Sequence, residues 1–519
     1  MKRELKWWQK SPVYEVYVRS FKDSDGDGTG DLNGITSKLD YLQSLGIGAL
    51  WLTPCYVSPQ ADNGYDIEDY YNIDPMYGTM DDMENLIAEA GKRNIRIVMD
   101  LVFNHTSDRH PWFLESKSSR DNDRSDWYIW RDAKADGSPP TNWRSIFGGP
   151  AWEYCRERNQ YYLHTFLKEQ PDLNWENPAV RKALIDAARF WVSKGIGGFR
   201  MDAAAYIKKP EFTDGVPDAS DGMTAIHAAT ANTEGILDFL KEFRDAAVRG
   251  TDIFTVGEAN GVSASELHRW VGDDGAFDML FEFSHVLIDL PDEADWCRTE
   301  SWTLPGLKKL FSDSQKNTAG NGWYPVFLEN HDQPRSVNHF LPENADRISG
   351  AKALGTLLMT MRGSPFVMQG EELGYVNVRW PSADDYNDVS TKNHYAFALS
   401  EGYTEEEALA GIHRFSRDSS RTPMQWDDSR HAGFTEGTPW LCVNDDFRKY
   451  NVRTENADPE SVLNWYRNLA ELRRKHSELT DGDYTEVLHE HSQIFAYRRK
   501  NDRAEAVILI NMSCEPAYY

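Results

Sequence analysis

Three short acidic endings hold the chemistry this chain can do: Arg200–Met201–Asp202, Gly257–Glu258 and Asn330–His331–Asp332. Each closes an apolar, strand-like run: GGFRMDA, IFTVGEA and YPVFLENHD. Acids at the C-terminal ends of separate parallel strands converge on one pocket; acids spread along a solvated helix do not. A carboxyl pair about 5–5.5 Å apart can displace a glycosidic oxygen with retention, one attacking the anomeric carbon while the other protonates the leaving oxygen. The attacker must stay ionised, and Arg200, two residues before Asp202 on the same strand face, is placed to hold it so. The proton donor must keep its proton near neutral pH, which crowding by like charges favours. A third carboxylate stabilises positive charge on the sugar ring. His105 and His331 offer N–H donors to sugar hydroxyls. The 24 Tyr, 23 Phe and 18 Trp suit stacking on sugar faces. Single acids cap strands and helices everywhere, so the repeated ending is what sets Asp202, Glu258 and Asp332 apart.

Metal-assisted hydrolysis is the rival chemistry, because clustered carboxylates can hold two divalent ions. His105 and His331 lack an HxH or HExxH partner for it. His489 and His491 do form an HxH, but they fall in the terminal strands and read as solvent-facing. The loop DSDGDGTGD, with Asp23, Asp25, Asp27 and Asp31, resembles the first half of a calcium loop. The bidentate glutamate of the paired helix–loop–helix site is missing. A single structural Ca²⁺ or Mg²⁺ is expected; the competing reading is an acidic turn with Asp31 capping a helix. No organic cofactor is expected.

Eight strand candidates must position these residues: 13–21, 49–54, 95–102, 197–203, 253–259, 277–284, 324–330 and 364–370. Several are near-continuous apolar runs, as strands buried on both faces require. Helical patterns lie between most of them. In DLNGITSKLDYLQSLG, Ile35, Leu39, Leu42 and Leu45 share a face, with Asp31 as cap and Gly46 as stop. MDDMENLIAEAGKRN and AVRKALIDAARFWVSKG follow the same logic. The pattern predicts a closed (β/α)8 TIM barrel of α/β class. An open doubly wound sheet would want a Gly-rich phosphate turn after the first strand, where an acidic loop stands instead.

The barrel is interrupted. Residues 105–175, polar and aromatic, read as a small domain inserted after strand three, between barrel parts 1–104 and 176–480. A second excursion falls at about 375–430. Residues 481–519 read as a C-terminal antiparallel β domain, expected to be incomplete with so few strands.

The formal charge of −27 argues against nucleic-acid or anionic-membrane partners and leaves a small neutral saccharide untouched. Five widely spaced cysteines without a CxxC, together with no apolar leader segment, predict a cytoplasmic protein.

Five ordered motifs resemble the signatures of the alpha-amylase superfamily of glycoside hydrolases: DLVFNH (100–105), QPDLN (170–174), GFRMDA (198–203), TVGE (255–258) and FLENHD (327–332). Ser416–Arg417–Asp418 and RTPMQW (421–426) are similar to the oligo-1,6-glucosidase, alpha-glucosidase and sucrose isomerase branch. The resemblance implies Asp202 as nucleophile, Glu258 as general acid/base and Asp332 as transition-state stabiliser. It implies sugar contacts from Arg200, His105 and His331, a stacking Tyr65, and a grip on the non-reducing end by Asp66 and Arg417. Asp62 stands beside them as a further substrate candidate. The resemblance places a metal at Asp23, Asp25, Asp27, the Thr29 carbonyl and Asp31. Relatives with Ala after the nucleophile, here Ala203, favour alpha-1,4 bonds, and those with Val favour alpha-1,6. The expected activity is a retaining, exo-acting alpha-glucosidase. A glucosyltransferase or sucrose isomerase is the alternative, although RSVNHF (335–340) departs from the isomerase motif. A non-catalytic transporter accessory protein would have lost one of the three acids.

Overall fold

The computed structural model describes residues 4–219, 221–291, 295–320 and 322–519. Eight parallel strands form the barrel: β1 (Val13–Val16), β2 (Ala49–Leu52), β3 (Arg96–Val102), β4 (Gly198–Asp202), β5 (Phe254–Glu258), β6 (Met279–Phe281), β7 (Pro325–Val326) and β8 (Ser364–Met368). Each lies within one of the apolar runs. They pair in sequence order from β1 to β6, and β8 bridges β1 and β7. Register is set at the lower rim, where Val13 sits opposite Ala49 and Phe366, and Gly198 opposite Val98 and Phe254.

No ladder joins β6 to β7. Pro325 leaves β7 without one N–H, and aromatic packing closes the seam instead. Phe281 and Phe327 meet edge to face at 5.1 Å, and His285 Nε2 lies 2.9 Å from the Phe327 carbonyl oxygen. The barrel is therefore nearly closed.

Helices follow their sequence caps. Thr79 and Asp82 form a capping box at the start of Met80–Lys92. Asn177 caps Pro178–Ser193, with proline at a position that needs no donor; such a cap contributes about 1 kcal/mol. The expected helix after the acidic loop is broken in two, Leu32–Ser37 and Leu39–Ser44. Thr36 and Ser37 turn their hydroxyls back onto the Leu32 and Gly34 carbonyls, a local competitor of helix continuation.

Between β3 and β4 lie the helix Pro111–Ser118 and a three-stranded antiparallel sheet built from Trp130–Arg131, Trp152–Cys155 and Gln160–Leu163. A separate apolar cluster of Ile129, Trp143, Ala151, Trp152, Leu163 and Ile226 supports it. After β8 come the helices Val389–Ser400 and Glu405–Phe415 and the single turn Asp418–Arg421. The chain finishes in an antiparallel sheet of Asp483–Val487, Ile494–Lys500 and Glu505–Asn511. His489 and His491 lie in the turn between the first two of these strands, not within a strand, because pairing stops at Val487 and resumes at Ile494.

Candidate active site

Asp202 and Glu258 are the last residues of β4 and β5, and Asp332 lies in the loop after β7. All three line one cavity of about 720 Å³, together with Asp62, Tyr65, His105, Ala203 and Arg417. One buried guanidinium ties the first two acids together. Arg200 Nη1 lies 2.6 Å from Asp202 Oδ1 and 2.9 Å from Asp100 Oδ1, while Nη2 lies 2.7 Å from Glu258 Oε2. Strand periodicity explains the first contact, since residues two apart share a face. Parallel register explains the second, because Arg200 sits opposite Asp100 in the β3–β4 ladder. Removing one partner from such a buried pair costs about 3–5 kcal/mol.

The backbone beside Asp202 is strained. Ala203 has φ 49°, the left-handed region, which a β-branched side chain enters only as an outlier. Its amide donates to Glu258 Oε2 at 3.1 Å, and the Ala204 amide to the Glu258 carbonyl at 2.9 Å. Gly257 has no side chain for a packing reason: a Cβ there would meet the Phe277 ring at 2.5 Å.

Asp332 has different company. Arg421 Nη2 lies 2.5 Å and Arg417 Nη1 3.2 Å from its Oδ1, and His331 Nε2 lies 3.3 Å from Oδ2. Arg417 also reaches Asp388 at 2.6 Å and Asp62 at 3.5 Å, closing that end of the cavity. A relay connects the two halves. His331 Nε2 meets the Tyr65 hydroxyl at 2.7 Å under a stacked ring pair, and that hydroxyl donates to Asp100 Oδ2 at 2.9 Å.

Burial pushes the Asp202 carboxyl well up; Arg200 opposes this, and the charges of Glu258 and Asp100 add to it. Burial would raise Asp332 too, but His331, Arg417 and Arg421 outweigh it and hold that carboxyl well below the usual range. Asp332 therefore stays ionised, and Arg200 is the group that favours charge on Asp202. Burial raises Asp62 to about 6 against the pull of Arg417, and lowers His105 to about 4, so that its imidazole is neutral at pH 7.

Three expected sugar contacts lie behind the wall. Asp66 is fully buried, and its oxygens accept from Ser58 Oγ and the amides of Ala61 and Asp62 at 2.9–3.0 Å. Asp66, expected to grip the sugar, lies instead among three donors that shape the loop presenting Asp62. Arg200 and His331 are likewise buried and face the acids rather than the cavity.

At the acidic loop, carboxylate oxygens of Asp23, Asp25 and Asp27 lie within 4.8 Å of one another. Burial raises Asp27, and Asp25 and Asp23 repel its charge further. Three hard oxygen donors in mutual repulsion fit a divalent Ca²⁺ or Mg²⁺. Asp31 stands outside the trio. Its oxygens accept from the Ser24 amide and hydroxyl and cap Gly34 at 2.7 Å, so the cap reading describes it. The Thr29 amide donates to Asp27 Oδ1 at 2.7 Å. Gly28 (φ 98°) lets the loop touch residues 437–440, since a Cβ there would meet the Thr438 carbonyl at 1.9 Å.

Sequence reasoning missed Glu15, Asp388, Arg421 and Phe147 as parts of this site. Glu15 Oε1 lies 2.5 Å from His331 Nδ1. An acid inside the apolar run VYEVYV was its visible signal. Arg421 stood in a quoted motif without a role. Asp388 and Phe147, whose ring lies 4.8 Å from the Arg417 guanidinium, gave no sign.

The alpha-amylase catalytic-domain family model matches residues 15–482. A probable oligo-1,6-glucosidase 3 from Bacillus subtilis (strain 168) is 44% identical, covering 99% of this chain and 92% of its own length. The isomaltulose synthase of Erwinia rhapontici NX5 superposes with a TM-score of 0.94 at 41% identity, covering 98% of this chain and 91% of that one. The trehalulose synthase of Pseudomonas mesoacidophila MX-45 gives 0.94 at 39% identity, covering 99% and 92%. The chain belongs to the alpha-amylase superfamily, in the branch of oligo-1,6-glucosidases and isomaltulose and trehalulose synthases, and is an enzyme with glycoside-hydrolase machinery for alpha-glucosidic bonds.

Proposed function

We propose a retaining, exo-acting enzyme that lifts a terminal alpha-linked glucosyl unit from a short saccharide through a covalent intermediate on Asp202. The observation that supports it is Arg200, one guanidinium spanning Asp202 and Glu258 beside a cavity that Asp62, Arg417 and Asp332 close at one end. So short a bridge suits the about 5–5.5 Å separation of retaining pairs. An Asp202 oxygen attacks the anomeric carbon as the glycosidic C–O bond breaks, and the Glu258 proton goes to the leaving oxygen. Glu258, now a carboxylate, takes a proton from the incoming hydroxyl, whose oxygen displaces Asp202. Asp332, kept ionised, opposes the positive charge on the ring in both steps. Arg200 and His331 act as positioning residues, and His105 and Tyr65 present neutral faces to the sugar.

The incoming hydroxyl decides the activity. The isomaltulose and trehalulose synthase neighbours support transfer to a sugar hydroxyl, including transfer within one disaccharide, more than plain hydrolysis. The aromatic wall beyond the acids, with Phe147, Phe166, Phe283 and Trp296, fits a second sugar. Hydrolysis of alpha-1,4 and alpha-1,6 bonds is the accompanying reaction, in line with the oligo-1,6-glucosidase relative. Product analysis on maltose, isomaltose, sucrose and trehalose at rising concentration tests this. Sucrose isomers or longer saccharides that grow with concentration support transfer. Glucose, with fructose from sucrose, as the only products at every concentration makes the enzyme a hydrolase.

A structural divalent cation held by Asp23, Asp25 and Asp27 is part of the same reading; it would pin the loop by charge neutralisation. All five cysteines are free, which supports a reducing, cytoplasmic setting. Among the described residues no helix is long and apolar enough to cross a membrane. We take 105–175 as a domain inserted between barrel parts 1–104 and 176–480, supported by an apolar cluster drawn mostly from its residues and completed by Ile226, and 481–519 as the terminal β domain.

A further inference from the structure

At the opposite end of the barrel a second cavity, about 900 Å³, opens between the segment before β1, the helix Val462–Lys475 and the short helix Ser477–Asp481. Five cations line it: Lys10, Arg467, Arg473, Arg474 and Arg503. Glu4, Glu471 and Asp481 line the same wall. Glu471 holds Lys475 at 2.5 Å, and Asp481 holds Arg503 at 3.2 Å. Among the described residues Lys10 and Arg474 make no side-chain hydrogen bond or ion pair, although the Arg474 charge reaches Glu471 and helps to lower its carboxyl. Arg467 finds only neutral partners in Asn456, Asn464 and Ser44.

Behind them lies Arg473, 2% exposed. Its terminal nitrogens donate to the carbonyls of Met359, Met361, Gly363 and Leu479, and its Nε has no partner. Arg499, also buried, shares the Leu479 carbonyl and otherwise meets only the Thr360 and Gly482 carbonyls. Burial lowers Arg473 to about 10, with no carboxylate to restore it, and burial together with the Arg473 charge lowers Arg499 to about 9 against the pull of Asp481. Uncompensated buried charge is costly. It is the more unexpected in a chain with 83 acidic and 56 basic residues, where a counter-ion was easily found.

We propose that this cavity binds a phosphoryl anion, either inorganic phosphate or the phosphate of a small monoester, between Lys10 and Arg474 with Arg473 behind. Guanidinium forks match phosphate oxygens, and the anion would supply the missing counter-charge. The proposal is independent of the catalytic reading, since the cavity lies at the far end of the strands from Asp202. The test is calorimetric titration of the intact protein with inorganic phosphate and with glycerol 3-phosphate, against potassium chloride at matched ionic strength. Heat and a raised Tm are expected with phosphate. The K10E/R474E double variant should lose affinity by about tenfold or more at unchanged turnover of alpha-glucosides. Tighter binding of the ester assigns an organic phosphate, and equal binding assigns the free anion. No heat from either probe, or the same binding in the variant, overturns the site.

Discussion

Asp100, Asp202, Glu258 and Asp332 gather around a cavity, held by Arg200, Arg417 and Arg421. A second acidic group, Glu329, Glu371, Glu372 and Glu455, is also buried, with Glu371 and Glu372 just past the end of β8, but is answered differently. Glu329 pairs with Arg335 at 2.7 Å. Glu372 accepts from the Tyr14 and Tyr41 hydroxyls at 2.7 and 2.6 Å, and Glu371 from Tyr466 at 3.3 Å. Burial, with the Glu329 charge adding to it, pushes Glu371 well up, and burial takes Glu455 to about 8. Depth alone does not make an acid a reactant. Where arginines outweigh burial, as at Asp332, charge persists, and a cavity opens the acids to a substrate. Where tyrosines and amides surround the group, the proton stays and the acid becomes polar packing.

The largest test of that contrast is Asp202→Asn beside Glu371→Gln. Turnover of maltose should fall on the order of 10⁴-fold or more in the first and less than about tenfold in the second; comparable losses would erase the distinction. Glu258→Gln comes next. Its kcat/KM on maltose should drop about 10²–10⁴-fold, with a much smaller drop in kcat/KM on a nitrophenyl glucoside, whose leaving group needs no proton in the first step. An equal drop on both substrates removes Glu258 from the acid role.

Glu15→Gln probes the positioning layer. Loss of charge behind His331 should cost about tenfold in kcat, or about 1.4 kcal/mol, and displace the pH profile while the fold survives. An unmoved profile leaves Glu15 with packing alone.

The smallest effect concerns stability. The carboxyl of Glu455 titrates near 4.5 in the unfolded chain and is raised to about 8 in the fold. The folded state therefore keeps a proton that the unfolded state has released. This contribution is fully present below the unfolded value and is lost as pH rises through the folded one, at most about 1.4 kcal/mol per pH unit. The Tm of the Glu455→Gln variant should fall less steeply over that window than that of the parent. Parallel curves would assign the slope elsewhere.

Much of this site was legible in the order of residues. Apolar runs ending in Asp202 and Glu258 foretold both the strands and their acids, because two-sided burial leaves a local mark. Asp62 and Asp66 show the limit. Both are acids flanking Tyr65, and only loop closure reveals that three donors consume Asp66 while Asp62 stays open to the cavity. The split at Lys38 escaped for a similar reason, since the helical period continues through a break made by two hydroxyls.

The sequence by itself determined which segments are strands and that acids stand at their ends, since both follow from hydrophobic period and neighbouring residues. Tertiary structure decided which charges meet. Glu15 reaches His331 across 316 residues, and Arg417 reaches Asp332 across 85. Coulomb attraction and desolvation depend on distance through space, and no local pattern records that distance.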